Sequence, residues 1–140
     1  MIILDTNVVS EALNSPPDAR VIDWLDRQEP DTLFLTATSL AELLTGVEYL
    51  PDGRRKKGLA DNMSALIARL FEDRVLAFEK NAAAVYAALV AGAKTRGRTI
   101  AVADGQIASI AALQGFSVAT RDVGPFTAAG VPVINPWTDR

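Results

Sequence analysis

The stretch Ile2-Ile3-Leu4-Asp5-Thr6-Asn7 decides how the rest of the chain reads. A short, continuous apolar run with β-branched residues is the pattern of a strand buried on both faces, as in parallel sheets covered by helices. This run ends abruptly on an acid. Four later runs have the same character: Thr32-Leu33-Phe34-Leu35-Thr36, Val75-Leu76-Ala77-Phe78, Ser117-Val118-Ala119-Thr120 and Val131-Pro132-Val133-Ile134. Proline cannot donate to a sheet ladder, so the last run is expected at an edge or at a strand start.

Helical periods separate the runs. Val21, Trp24, Leu25 and Gln28 share one face of a helix opened by Pro16-Pro17-Asp18. Leu40, Leu43, Leu44 and Val47 repeat at i, i+3, i+4 and i+7, and a longer stripe runs from Leu59 through Met63, Leu66, Ile67 and Leu70 to Phe71. Ala82, Val85, Tyr86, Leu89, Val90 and Ala93 form another, and Ile107, Ile110, Ala111 and Gln114 a last one, which Gly115 should stop. Alternation of strand and helix implies an α/β fold with a central parallel sheet of about five strands and helices on both faces. No linker, repeat or low-complexity tract divides residues 1–140, so one domain is expected.

Composition narrows the chemistry. With 49% hydrophobic and 22% charged residues in 140, the chain reads as an ordinary soluble globule able to bury a core without staples. It has no cysteine and no histidine. Disulfides, thiolate metal sites, cysteine nucleophiles, His-dependent triads, His-ligated zinc and paired-imidazole ribonuclease chemistry are therefore excluded. The net charge of −3 provides no global attraction for nucleic acid. The first residues carry no basic leader and no small-residue cleavage site, and the apolar stretch from Ala82 to Ala93 is too short for a bilayer. A cytoplasmic location with no membrane contact is the expectation.

Functional groups of open parallel sheets gather at the carboxyl ends of strands and the helix starts beyond them. Read at those places, the chain offers four acids. Asp5 follows the first run, Glu42 lies early in the helix after the second, Asp104 opens the helix before the fourth, and Asp122 comes just after the fourth. Singly, each has a structural explanation: Asp5 as a helix cap, Glu42 and Asp104 as first-turn acids, Asp122 as a turn residue before Gly124-Pro125. Glu42 fits this least well, because its strip of helix carries the small residues Ser39 and Gly46, as suits a closely approached surface. Together the four need a cation, since several ionised carboxylates cannot share one site without one. Hard ions such as Mg²⁺ or Mn²⁺ take oxygen ligands, activate water and polarise phosphoryl groups, which points to metal-assisted phosphodiester hydrolysis.

Ile3-Leu4-Asp5-Thr6-Asn7, Ser39…Ala41-Glu42-Leu43, Val102-Ala103-Asp104 and Ala119-Thr120-Arg121-Asp122…Phe126 resemble, in order and spacing, the four acidic motifs of PIN-domain ribonucleases, with the VapC and FitB-type toxins of bacterial toxin–antitoxin pairs as the nearest match. The likeness runs from residue 1 to Pro136. It implies that Asp5, Glu42, Asp104 and Asp122 are the metal-site acids, with Thr120 and Asn7 as supporting polar groups. It further implies an endoribonuclease that leaves 5′-phosphate and 3′-hydroxyl ends. A homodimer is also implied, together with a cognate antitoxin whose tail crosses the active site, and promoter DNA bound only through the joint complex. One departure stands out. Many relatives have a further acid just before the phenylalanine of the last motif, where this chain has Gly124-Pro125 before Phe126.

Two other readings are weighed. A phosphatase or phosphotransferase forming an aspartyl-phosphate on Asp5 would usually pair it with an acid two residues on, where this chain has Asn7. A non-catalytic subunit serving only antitoxin or DNA would not need all four acids. Among the remaining features, Arg54-Arg55-Lys56-Lys57 reads as a solvated helix start, and Arg96 and Arg98 are better placed than that run to meet a phosphate near the acids. Trp24, Tyr86 and Trp137 are expected in the core or an interface.

Overall fold

The computed structural model describes residues 1–139. Every apolar run forms a strand: β1 Ile2–Leu4, β2 Leu33–Thr36, β3 Val75–Leu76, β4 Ser117–Ala119 and β5 Val133–Ile134. All pair in parallel in the order β3-β2-β1-β4-β5. The strand after Pro132 is at the edge, where a missing N–H costs nothing, while the Pro132 carbonyl still accepts from the Val118 N–H at 2.9 Å. The sheet grows from β1 to one side through β2 and β3, and to the other through β4 and β5. The chain therefore switches direction between the carboxyl ends of β1 and β4, the place where open α/β sheets bind ligands.

The helices are α1 Thr6–Ala12, α2 Ala19–Asp26, α3 Ala37–Glu48, α4 Arg54–Phe71, α5 Lys80–Thr95, α6 Val102–Gln114 and α7 Val123–Ala128, with a 3₁₀ turn at Pro30–Thr32. Their starts follow from side-chain oxygens that satisfy orphan N–H groups. The Asp18 carboxylate accepts from the Arg20 N–H at 2.9 Å to start α2, and the Thr36 hydroxyl from the Ser39 N–H at 3.0 Å to start α3. Gly115, at a φ of 72°, stops α6 as read. Asp122, offered as a turn residue, instead stands at the N-terminus of a helix that takes in Gly124-Pro125. Pro125 sits in the first turn of α7, where its absent N–H would have had no partner anyway.

Side chains alternate across each strand, so the sheet feeds two cores. Leu4, Leu33, Leu35 and Ala119 join one buried cluster with residues of α1 to α4, whereas Ile3 and Val118 join a second with residues of α5 to α7. Helices thus cover both faces, as the continuous apolar runs require. Within the α3 stripe Leu43 and Val47 are buried, but Leu44 is 50% exposed, because the apolar stripe is wider than the surface α3 lays on its neighbours.

The densest helix pairing, α5 on α6, fixes where α6 begins and hence where Asp104 stands. Ala82 and Ala93 are buried in α5, and a Cβ at Gly105 would stand 2.6 Å from Tyr86 Cε2 and 3.2 Å from Val90 Cγ2. Only glycine permits that approach. Gly105→Val is expected to push α5 and α6 apart and lower stability by about 1–3 kcal/mol. A urea-unfolding midpoint unchanged from wild type would contradict this reading of the contact.

Candidate active site

The site is assembled at the switch point. The Asp5 N–H donates to the Ala119 carbonyl at 2.9 Å, which extends the β1–β4 ladder by one residue and delivers the Asp5 side chain beside Thr120. Both residues are buried, Asp5 at 6% exposure and Thr120 at 0%. The Thr120 hydroxyl donates to Asp5 Oδ2 at 2.8 Å and accepts from Asn7 Nδ2 at 3.1 Å and from the Asp122 N–H at 3.0 Å. One donor and two lone pairs are all a hydroxyl has, so Thr120 is fully committed. Asn7 also donates weakly to Asp5 Oδ2 at 3.4 Å, and its Oδ1 accepts from the Arg121 N–H at 3.2 Å. The Thr6 N–H donates to Asp5 Oδ1 at 2.8 Å, which makes Asp5 the cap of α1 as well.

The other acids reach this point from separate elements. Glu42, exposed in the second turn of α3, has its Oε1 held by the Thr6 hydroxyl at 2.9 Å. Asp104, partly buried, is in the first turn of α6, and Asp122, exposed, leads into α7. Asp104 is pushed up to about 6, first by burial and then by the charges of Asp5, Asp122 and Glu42. Burial likewise raises the Asp5 carboxyl, against the pull of the Thr120 and Thr6 hydrogen bonds and with help from Glu42 and Asp122. The structure therefore brings all four sequence-derived acids, together with Thr120 and Asn7, into one electrostatic neighbourhood.

It does not draw them into a closed cage: among the described residues no three carboxylates converge tightly enough to hold an ion by themselves. Nor does any of the four form an ion pair with a lysine or arginine among the described residues, where the pairs are Arg20–Asp18, Lys56–Glu48, Lys56–Asp52 and Arg74–Glu72. Carboxylates that repel one another without a basic partner are relieved by taking up a proton, the direction in which Asp5 and Asp104 are shifted, or by a cation placed among them.

The surroundings sort the remaining expectations. Lys56 is tied to Glu48 and Asp52, as befits a solvated helix start, but Arg54 and Arg55 line a cleft of about 680 Å³ beside Thr6, Glu42 and Gly46. Ser39 does not share that surface; it is wholly buried beneath it. Arg96 is spent on structure, donating to the Ala128 carbonyl at 2.8 Å, while Arg98 lies against Gly124 at the start of α7. Trp24 and Trp137 are buried, and Tyr86 is half-buried against Phe78. Sequence reasoning missed Thr6, whose hydroxyl positions Glu42. Its place next to Asp5 is the only signal, since the partner lies 36 residues away.

Comparison with known proteins follows the same outline. The family model described as PIN domain matches residues 2–130. The chain is 46% identical over 139 residues to a protein named toxin FitB of Neisseria gonorrhoeae, covering 99% of this chain and 100% of that one. It is 45% identical over 137 residues to one named VapC ribonuclease Y4jK of Sinorhizobium fredii, covering 98% of each. The solved structure of FitAB bound to an IR36 DNA fragment contains a chain that superposes with a TM-score of 0.95 at 45% identity, covering 100% of this chain and 98% of that chain.

Two outcomes follow from the geometry. Thr120→Val, which leaves Asp5 buried without its closest donor, should cost about 1–3 kcal/mol in denaturant unfolding, whereas Thr120→Ser should cost much less. Asp104 binds its proton more tightly in the folded chain than at its ordinary value of 3.8. Its contribution to metal-free stability should thus be fully present below that value, be lost as pH rises through 3.8 to about 6, and stay absent above it. Asp104→Asn should flatten that slope and raise the metal-free Tm at neutral pH, by about 4 °C for each kcal/mol of repulsion removed. A variant with a wild-type pH profile of Tm in EDTA would contradict it.

Proposed function

The chain belongs to the PIN-domain family, and from that premise we propose that it is a divalent-metal-dependent endoribonuclease, the toxin of a toxin–antitoxin pair. The observation that carries the reading is the set of four acids at the β1–β4 switch point, with Asp5 buried, Asp104 raised to about 6, and no basic partner among the described residues.

Asp5, Glu42, Asp104 and Asp122 are the residues that would hold the ion. When bound, Mg²⁺ or Mn²⁺ neutralises these carboxylates, lowers the pKa of a coordinated water and polarises the phosphoryl group of an RNA backbone. The protein's own part is orientation. Thr120 and Asn7 fix Asp5 in one rotamer, so the deepest acid needs no rearrangement on loading. Thr6 aims Glu42 across from α3, and the Asp122 backbone is pinned to the same Thr120 hydroxyl. Hydrolysis there leaves a 5′-phosphate and a 3′-hydroxyl.

The similarity to toxin FitB and to the FitAB–DNA structure supports a cognate antitoxin as the silencing partner and contact with promoter DNA only through that complex. A second copy of the chain is the remaining partner. Leu44 and Tyr49, 50% and 84% exposed on and just beyond α3, offer apolar surface for it. The reading places one domain over residues 1–140 in the cytoplasm; no described helix is long and apolar enough to cross a membrane.

The test is cleavage of a total RNA pool by the partner-free protein in Mg²⁺, Mn²⁺ or EDTA, with cut ends mapped. Cuts are expected only with metal, and Asp5→Asn or Asp104→Asn should slow them on the order of 10²–10³-fold, the worth of several kcal/mol at the transition state. Ends bearing 2′,3′-cyclic phosphate would sink the mechanism, since they require attack by the ribose hydroxyl. In the same buffers Mg²⁺ should raise the Tm of wild type at pH 7.5 more than that of Asp104→Asn.

A further inference from the structure

Arg121 stands between two residues of the acidic site, Thr120 and Asp122, yet it neutralises neither Asp5 nor Asp122. Its guanidinium carbon lies 4.5 Å from the centre of the Trp137 ring, and its backbone N–H is held by the same Asn7 side chain that touches Asp5. Trp137 is 4% exposed and belongs to a buried core cluster, so the exposed Arg121 is seated on a packed ring. Stacking over an aromatic ring occupies the face of a guanidinium and leaves its fork of N–H donors available, and that fork matches a phosphate. Among the described residues, no side-chain hydrogen bond or ion pair claims those donors.

Trp137 also lines a cleft of about 560 Å³ whose other walls are Arg20, Asp23, Arg27, Thr138 and Asp139. Arg20 is paired with Asp18 at 2.7 Å, and that carboxylate also feels the charge of Arg121, which places the two arginines on one rim. Asp139 is committed to the Asn135 N–H at 2.7 Å and the Thr138 hydroxyl at 3.2 Å. Arg27 and Arg121 have no carboxylate within ion-pair distance among the described residues. Acids and guanidiniums therefore alternate around this cleft, and Arg121 is the guanidinium next in sequence to the acidic site that makes no ion pair among the described residues. A polyanionic strand is repelled by the acids and needs cations next to them to be held.

We infer that Arg121, seated on Trp137, binds a backbone phosphate of the RNA strand beside the acidic site. This deepens the nuclease reading and rests on it. Arg121 is a binding residue: it anchors the strand whether or not the ion is present, and its loss shows in affinity rather than in turnover.

The experiment titrates a fluorescent single-stranded oligouridylate of about twelve nucleotides in EDTA, across roughly 50–200 mM salt. Cleavage of total RNA in Mg²⁺ is followed in parallel. Arg121→Ala should weaken binding about tenfold and reduce the salt slope by about 0.7, the value of one phosphate contact on a single strand. Arg121→Lys should restore the slope but only part of the affinity, and Lys94→Ala, removing an exposed charge on α5, should change neither. In cleavage, Arg121→Ala should raise KM and leave kcat near wild type. If wild type binds and cuts RNA while Arg121→Ala keeps its affinity and slope, or loses no more than Lys94→Ala, the assignment to Arg121 is overturned and the nuclease reading stands. If wild type cuts but shows no affinity in EDTA, the metal-independent anchor is overturned as well. If wild type neither binds nor cuts RNA, the nuclease reading fails and takes this inference with it.

Discussion

The structure turns on one hydroxyl. Thr120 ends the strand beside β1 and spends its single donor on Asp5 Oδ2 and both lone pairs on Asn7 and the Asp122 N–H. A carboxylate 6% exposed among other acids is an expensive object, and removal from water pushes it toward the neutral form. Charge-favouring hydrogen bonds from Thr120, Thr6 and Asn7 hold it in place against that tendency. The same hydroxyl fixes the backbone that carries Asp122, so two of the four acids are positioned by a single atom.

The fold exists, in functional terms, to bring further charge to that atom. A parallel sheet with β1 in the middle puts the end of its central strand at the switch in chain direction. The two cores clamp it from either side: α1 to α4 contribute Glu42 and its guide Thr6, and α5 to α7 contribute Asp104 and the helix that Asp122 leads into. Close packing of Gly105 on Tyr86 shows how little slack the second side has. Gathering four acids there costs stability, as expected where perturbed carboxylates mark a site built for binding rather than for folding.

Charge is distributed with equal economy. Within a net charge of −3, four acids gather at the switch point, and Arg121, next in sequence to Asp122, makes no ion pair among the described residues. Such a juxtaposition suits a ligand that is itself a chain of alternating tasks, with one phosphate presented to a cation at the acids and another held by a guanidinium.

Much of this was written in the order of residues. Short apolar runs alternating with helical periods read as buried strands, and Pro132 pointed to an edge or a strand start, so the sheet and its helical covers were legible, as were the places of Asp5, Glu42, Asp104 and Asp122 at strand ends and helix starts. Local patterns carry local information. They do not reveal the helix at 123–128, because Gly124-Pro125 breaks a helix interior but not a first turn. They also assigned Leu44 to the core, because periodicity gives a face and not the width of the surface it meets. What only tertiary structure decided are contacts between residues far apart in sequence: Thr6 guiding Glu42 across 36 positions, Thr120 reaching Asp5 across 115, and Trp137 receiving Arg121. No period or spacing encodes these. They arise from two helix layers folding onto one sheet, which sets which chain ends meet and leaves each polar group to find its partner there.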